Sequence, residues 1–600
     1  MESVRRGWAG ELKRTADSLA RPSVFIMAAV LISLSFYLLY PILLVLSYSF
    51  NTAVHPFVGT EWGLDHWRVA FTKPHIFTAI YNSFLIWLLT LIISLPTATL
   101  IAWVLARTRI PWSNGLEFMF WISYMLPTLA TTIGWITLLD PRIGIINQWA
   151  MRLPFIDSPP FNIFSVPGIV WANLMGNGIA LKVMLLTPAF RNMDAALEEA
   201  ARVSGASNLR TMIRVTLPLM VTPITLVFAL QLLRVFQSFE TELLLGTPFD
   251  FVNYATLIYQ LVRPGEDDIP RYGEATVLAS VTMVIIAAII PLQRWVMQRR
   301  QYTTISAGFK PGLIDLGRWK FALLFVLWSL IFLLTLAPLT ALILGSFMTR
   351  AGFFMLDPVF TLNHWTAVLS AEDFQRAMRT TLTLGLASAI FSPLLFSMLA
   401  YILVRTRWFG RGLLDWIIWS SGAIPGMLSG LGLLVLFLGT PGLNVLFGTV
   451  WALVLVVIVS GKVTGVNIMK GTLVQVGQDM EDAARVAGAG WIRTYFHIWI
   501  PLTIRTLMLL ATLNFVSAVG ATSSVILLAS GDTTTLSILA LRYRFDSNQE
   551  AASIVSIIVM IMTVGLASLM QAFGLRLGVR HNLSIREVER SGRARLVKTR

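Results

Sequence analysis

The sequence predicts an all-α integral membrane protein of about twelve transmembrane helices, arranged as two parallel six-helix repeats. Of 600 residues, 56% are hydrophobic and only 13% charged, with a mean hydropathy of +0.72, an apolar excess outside the range of water-soluble domains. Apolar runs of roughly 20 residues, the length that crosses a bilayer, begin near Val24, Phe77, Gly115, Pro167, Val221 and Ala275, and again near Phe321, Ala377, Leu413, Leu446, Thr503 and Ala551. The chain also repeats itself: LEEAARVSGASNLRTMIRVTLP at 197–218 returns as MEDAARVAGAGWIRTYFHIWIP at 480–501, every shared residue displaced by 283 positions. An even number of spans per half returns the chain to its starting side, so the halves are parallel repeats about an axis along the membrane normal.

Taken in order, residues 1–23 form a basic N-terminal arm (Arg5, Arg6, Lys13, Arg14, Arg21) before an apolar stretch, Val24 to Phe50, that is too long for a signal-peptide core and reads as a retained anchor. The first half covers 24–297 and the second 321–573. Leu64-Asp65-His66-Trp67 pairs with Leu362-Asn363-His364-Trp365, and Arg107-Thr108-Arg109 with Arg405-Thr406-Arg407, at an offset of 298. The drop from 298 to 283 gives the first half 15 additional residues, placed in the Pro- and aromatic-rich stretch 140–166. Residues 298–320, with Gly, Pro and several basic residues, join the halves as a linker, and 574–600 form a basic tail. Placing the N-terminus inside puts most of the 46 Lys and Arg residues in cytoplasmic segments, the bias expected of a multi-pass protein with both termini in the cytoplasm. The net charge of +15 therefore belongs to membrane topology and not to nucleic acid. Cysteine is absent, which excludes disulfides, thiolate metal sites and cysteine nucleophiles.

Each copy of the repeated stretch, within 191–218 and 474–501, begins as a helix whose acids suit the positive end of the helix dipole. Gly205 and Gly488 then let the backbone turn into a second segment that ends at Pro218 or Pro501. This pattern resembles the coupling-loop signature of permease subunits of ATP-binding-cassette importers: Glu-Ala-Ala, three residues, Gly, nine residues, Ile, one residue, Leu-Pro. The first copy supplies Glu199, Ala200, Ala201, Gly205, Val215, Leu217 and Pro218, preceded by Glu198; the second supplies Asp482, Ala483, Ala484, Gly488, Ile498, Ile500 and Pro501, preceded by Glu481. The resemblance implies a type I importer permease fold in the bacterial inner membrane, in contact with lipid. It implies as partners a cytoplasmic ATPase dimer, which would carry ATP and Mg, and an extracytoplasmic solute-binding protein, and no cofactor or catalytic residue in this chain. The sequence holds no glycine-rich phosphate loop; Ser460-Gly461-Lys462-Val463 comes nearest and lacks the upstream glycine and the hydroxyl residue. A secondary transporter of the major-facilitator class is the alternative from another class, but its acidic loop after the second span has no counterpart in 106–115 or 404–412.

The two halves differ where the fifth span of each ends. Arg234, Glu240 and Glu242 align with Ser517, Ser523 and Val525, so charge is confined to the first half. A charge inside a span is costly and usually faces a cavity or a partner, which makes Arg234 and Glu240, with Ser517 and Ser523 opposite, candidates for the translocation pathway. An ion pair between Arg234 and Glu240 is the competing reading, and interfacial solvation is the plainer reading of Glu240 and Glu242. Phe239-Glu240, Leu243 to Pro248 and Ile258-Tyr259 resemble the fused permeases of ferric-iron importers, to which permeases for thiamine, polyamines and aminoethylphosphonate are related; ferric iron is the solute this implies. His55, His66 and His75 match no metal motif, and His66, repeated as His364, reads as a fold residue. Lys182 and Lys462 read as lysines that snorkel to the cytoplasmic surface.

Overall fold

The computed structural model describes residues 22–572 apart from 54–56, 58, 194–195, 233, 264–268, 300–313, 407, 409, 423, 476 and 478. The basic arm up to residue 21, most of the linker and the basic tail lie outside the described residues.

The described residues are helical, with isolated β-bridges in the loops. Eight helices are long and apolar enough to cross a membrane unaided, among them Pro74–Arg107 and Glu372–Arg405 of 34 residues each. Three further spans are bent pairs: Ser113–Met125 with Thr128–Leu139 (95°) and Val166–Gly178 with Ala180–Asn192 (45°), where the sequence predicted single apolar runs, and Asn208–Leu219 with Val221–Leu232 (62°), where it placed a boundary at Pro218. Arg411–Ser421 and Gly426–Gly439 repeat the first pair at the 298-residue offset and complete the second half. Pro127 and Pro425 stand at the N-cap of the second member of each pair, where proline tolerates the extended backbone it imposes and lacks a donor the helix could use.

The halves interlock by a reciprocal exchange. Pro22–Tyr48, the first span, packs on Gly426–Gly439 of the second half, and Ala337–Phe347 packs on Thr128–Leu139 of the first. At these crossings the backbones approach closely: a Cβ on Gly134 would meet the Pro338 carbonyl at 2.6 Å, and one on Gly432 would meet the Pro41 ring at 3.2 Å. Gly134 and Gly432 are repeat partners, as are Pro41 and Pro338 to within one residue, so the interface is self-complementary about a pseudo-two-fold axis. The repeated histidines are equally symmetric. His66 Nε2 bonds the Asn51 carbonyl and His364 Nε2 the Thr349 carbonyl, both at 3.1 Å, while Trp67 stacks on Phe50 and Trp365 on Phe347.

The stretch between Leu139 and Val166 contains its own short helix, Ile145–Ala150, held by the buried Asn147, whose amide donates to the carbonyls of Asp140 and Phe161. The corresponding link of the second half, 440–449, has only a 3-10 turn. At the opposite membrane face, linker residue Ile314 pairs with the Arg-Thr-Arg turn, its amide donating to Arg107 O and its carbonyl accepting from Arg109 N, both at 2.9 Å.

Candidate functional site

Two first-half spans break part-way along their length, and a cavity of about 250 Å³ opens between the breaks. The fourth span passes through a π-helical segment, Leu174–Gly178, in which Gly176 leaves helical geometry (φ −80°, ψ −116°). The fifth ends its helix at Leu232, turns through 234–237 and resumes as Glu240–Gly246. Broken helices are tolerated in a membrane where the freed backbone lines a cavity, and every residue lining this one belongs to the first half. Arg234 lies in the break and not in a helix, and its side chain is exposed to the cavity. No ion pair joins it to Glu240 among the described residues.

The acids are not at a solvated surface. Glu242 is fully buried, taking hydrogen bonds from Ser238 Oγ at 2.6 Å and Asn173 Nδ2 at 2.9 Å. Glu240 Oε1 accepts from the backbone N of Ser523 at 3.2 Å. Because 240 and 523 are repeat partners, a direct contact between them can occur only close to the pseudo-two-fold axis; the cavity therefore lies beside that axis. Arg263 adds a second bond across the halves, its guanidinium donating to the carbonyls of Leu527 (3.3 Å) and Ala529. Ser517 is exposed and takes no part in lining the cavity.

Lys182, read from sequence as snorkelling, is instead buried in the cavity wall, with Nζ donating to Gly178 O at 2.7 Å. Lys462 is buried too, donating to Val459 O at 2.7 Å. An apolar run does not reveal depth, so sequence could not separate these lysines from interfacial ones. In the second half the space is filled. Phe396, fully buried, lies so tightly against Gly465 that no Cβ fits there, and a Cβ on Gly461 would meet Asn514 Oδ1 at 2.7 Å. Gly465 is the repeat partner of Lys182, and Phe396 that of Ala98.

The repeated stretches form two short helices, Ala196–Val203 and Asp479–Val486. Each ends in a left-handed glycine, Gly205 (φ +84°) and Gly488 (φ +79°), closed by a backbone bond spanning five residues, Ala206 N to Ala201 O and Ala489 N to Ala484 O. A π-helical turn follows in both, Met212–Thr216 and Tyr495–Trp499, before the Pro-initiated next helix. The acidic starts face two ways. Glu199 is half-buried and Asp482 exposed, while Glu198 and Glu481 are turned into their own chain. Glu198 accepts from Thr216 Oγ1 at 2.5 Å and pairs with the buried Arg107 at 3.7 Å; Arg107 also donates to Met193 O at 2.8 Å. Glu481 accepts from Tyr401 Oη at 3.0 Å, and Arg405 donates to Leu473 O at 2.7 Å while lying over the Trp499 ring. Ala200 and Ala483 are exposed, whereas Ala201 and Ala484 pack inward. The exposed face carries matched apolar residues at the 283-residue offset: Leu197 and Met480, Val203 (89% exposed) and Val486 (90%), Leu209 and Ile492.

Residues 95–302 and 376–579 each match the family described as the binding-protein-dependent transport system inner membrane component. The ferric transport system permease protein FbpB of Actinobacillus pleuropneumoniae is 23% identical over 375 residues, 62% of this chain and 53% of that protein, so this chain spans about half the length of that relative. The putative ferric transport system permease protein FbpB 1 of Haemophilus influenzae is 22% identical over 521 residues, 85% of this chain and 79% of the relative. The maltose/maltodextrin transport system permease protein MalG of Vibrio parahaemolyticus is 26% identical over 276 residues, 43% of this chain and 88% of the relative. The family match removes the secondary-transporter alternative, and the double occurrence in one chain matches the duplicated architecture. The chain belongs to the binding-protein-dependent transport system inner membrane component family, as a fused permease of the ATP-binding-cassette importer type with two permease halves in one polypeptide.

Proposed function

We propose that this chain forms the translocation pathway of a bacterial inner-membrane importer driven by a separate cytoplasmic ATPase dimer and supplied by an extracytoplasmic solute-binding protein. The observation that carries the reading is the pair of matched apolar faces on the coupling helices: Val203 and Val486 are almost fully exposed at equivalent positions, as knobs are before they enter a partner's groove. Glu199 and Asp482 flank those knobs, where a carboxylate meets a basic partner group well. Glu198 and Glu481 hold the helices to the permease, so that a movement of the ATPase is passed inward instead of bending a loose loop. The cavity beside Glu240 and Ser523 is the station the solute occupies between outer and inner states.

Ferric iron is the solute favoured by the fused-permease resemblance and by the names of the two ferric relatives. The charged wall sets a condition on it: Lys182 and Arg234 balance Glu240 and Glu242, so the wall offers no net negative charge to neutralise a bare trivalent ion. Iron then crosses with an accompanying anion. The test is two-part. A tagged chain should co-purify a cytoplasmic ATPase, and Val203→Asp with Val486→Asp should abolish that association while leaving the chain in the membrane. Uptake of labelled iron(III) citrate should fall to background in the same double variant. Association that survives the double substitution, or ATP hydrolysis by the partner-free chain, would sink the assignment.

A further inference from the structure

Resting on the reading of the cavity as the solute station, the geometry points to a cargo of definite chemistry: a small oxyanion, carboxylate, phosphonate or sulfate in kind, with Arg234 as the residue that selects it.

Four ionisable side chains line the cavity, but they are not equally free. Glu242 has no exposed surface and its oxygens are taken by Ser238 and Asn173. Glu240 spends Oε1 on the Ser523 amide. Lys182 is 3% exposed and tied to the Gly178 carbonyl. Arg234 alone of the four is exposed, and among the described residues its guanidinium makes no hydrogen bond or ion pair. A planar fork of five donors, held in a break between helices and facing a confined space, matches a carboxylate or phosphonate by two parallel bonds. The two carboxylates balance Lys182 and Arg234 in total charge, but Glu242 is buried behind its own hydrogen bonds and Arg234 is the most exposed of the four, so the donor face offered to a cargo is the guanidinium.

The second half shows that this chemistry is not required by the fold. At the partner positions of Arg234, Gln237, Ser238, Glu240 and Glu242 it has Ser517, Gly520, Ala521, Ser523 and Val525, and its helix runs unbroken to Val519. A scaffold charge would be expected in both copies.

The chain contains no cysteine, so Gln237→Cys places a single thiol on the cavity wall near Arg234. The full-length variant in lipid nanodiscs is treated with two methanethiosulfonates of similar size, one bearing a sulfonate and one a trimethylammonium. Any change in thiol pKa affects both reagents alike, so the ratio of their rates reports the charge met by the reagent. The sulfonate-to-ammonium ratio should fall about tenfold when Arg234→Ser is added, the size of effect one nearby unit charge has in a partly solvated site, and Arg234→Lys should keep most of it. A ratio that is unchanged, or that rises, overturns the anion assignment while leaving the cavity as the pathway. Thiols that react with neither reagent overturn the cavity reading itself. Sources are then separated by protection: inorganic sulfate, methylphosphonate, citrate and iron(III) citrate are each tested for slowing of the sulfonate reagent. Protection by one names the source, and protection by none overturns the assignment.

Discussion

The first and second halves share spans, turns and even individual hydrogen bonds, yet they differ within the fourth and fifth spans. In the first half the fourth and fifth spans are interrupted and the gap is lined by Asn, Gln, Lys, Arg and Glu. In the second, Val450–Gln475 and Ile500–Val519 are continuous, and Phe396 closes against Gly465. Contacts that build the scaffold were kept twice: the histidine–carbonyl bonds, the Gly–Pro crossings, the left-handed glycines, and the ion pairs Glu117–Arg191 and Asp415–Lys470 that tie third to fourth spans. The open cavity with its charged lining was kept once. The difference teaches that the duplication supplies the scaffold and that the cavity is a local departure from symmetry, made where one copy gave up close packing.

The comparison can be broken most severely at its shared base. Glu198→Ala would leave Arg107 buried without its carboxylate, a loss of about 3–5 kcal/mol for a broken buried pair; the purified variant should melt well below the parent and lose solute-stimulated ATP hydrolysis. A melting temperature equal to the parent's would show that the pair holds nothing in place. Next in size is the packed region of the second half. Gly465→Val should cost about 1–3 kcal/mol by overpacking against Phe396, whereas Lys182→Gly at the partner position, facing a cavity, should leave thermal stability near the parent's and reduce uptake. Equal destabilisation of the two variants would erase the distinction drawn between a filled and an open half. The smallest effect sharpens the symmetry. Gly205→Ala and Gly488→Ala each force a Cβ into left-handed backbone with open space around it, costing about 1–2 kcal/mol apiece. The two melting shifts should agree within error, and a clear inequality would mean that the two coupling turns are under different strain.

Much of this was legible in the sequence because repeats convert a guess into a measurement. The constant offsets delimited two six-span halves, the glycine turns and the histidine pair before any coordinates. The breaks were not read, for separate physical reasons. Pro127 and Pro425, repeated at the same offset, did signal the bend of the third and ninth spans and were overlooked within an apolar run. Gly176, opposite Val459, signalled the fourth-span break. The fifth-span break carries no Pro or Gly between Leu232 and Glu240; it follows from tertiary contacts, among them Trp87 Nε1 donating to the Gln231 carbonyl at 2.7 Å, which no local pattern encodes. Glu198 and Glu481 were read with their neighbours Glu199 and Asp482 because adjacent residues on a short helix look alike in sequence, while only the fold decides which one faces inward.

The reciprocal crossing of the halves also sets an order of events during biogenesis. Span 1 rests on Gly426–Gly439, a surface that does not exist until almost 400 further residues have been added. At roughly 5–20 residues per second, the first helix waits in the bilayer on the order of tens of seconds with lipid in place of its partner. Its apolar stretch suits that interval, since only 17% of the Met27–Tyr48 window is buried even in the finished chain. The earliest helix made is thus among the last to dock, and an arrest of synthesis before Gly426 would leave a half whose third span lacks Ala337–Phe347 or whose first span lacks Gly426–Gly439, a form that membrane quality control can recognise by its unfilled groove.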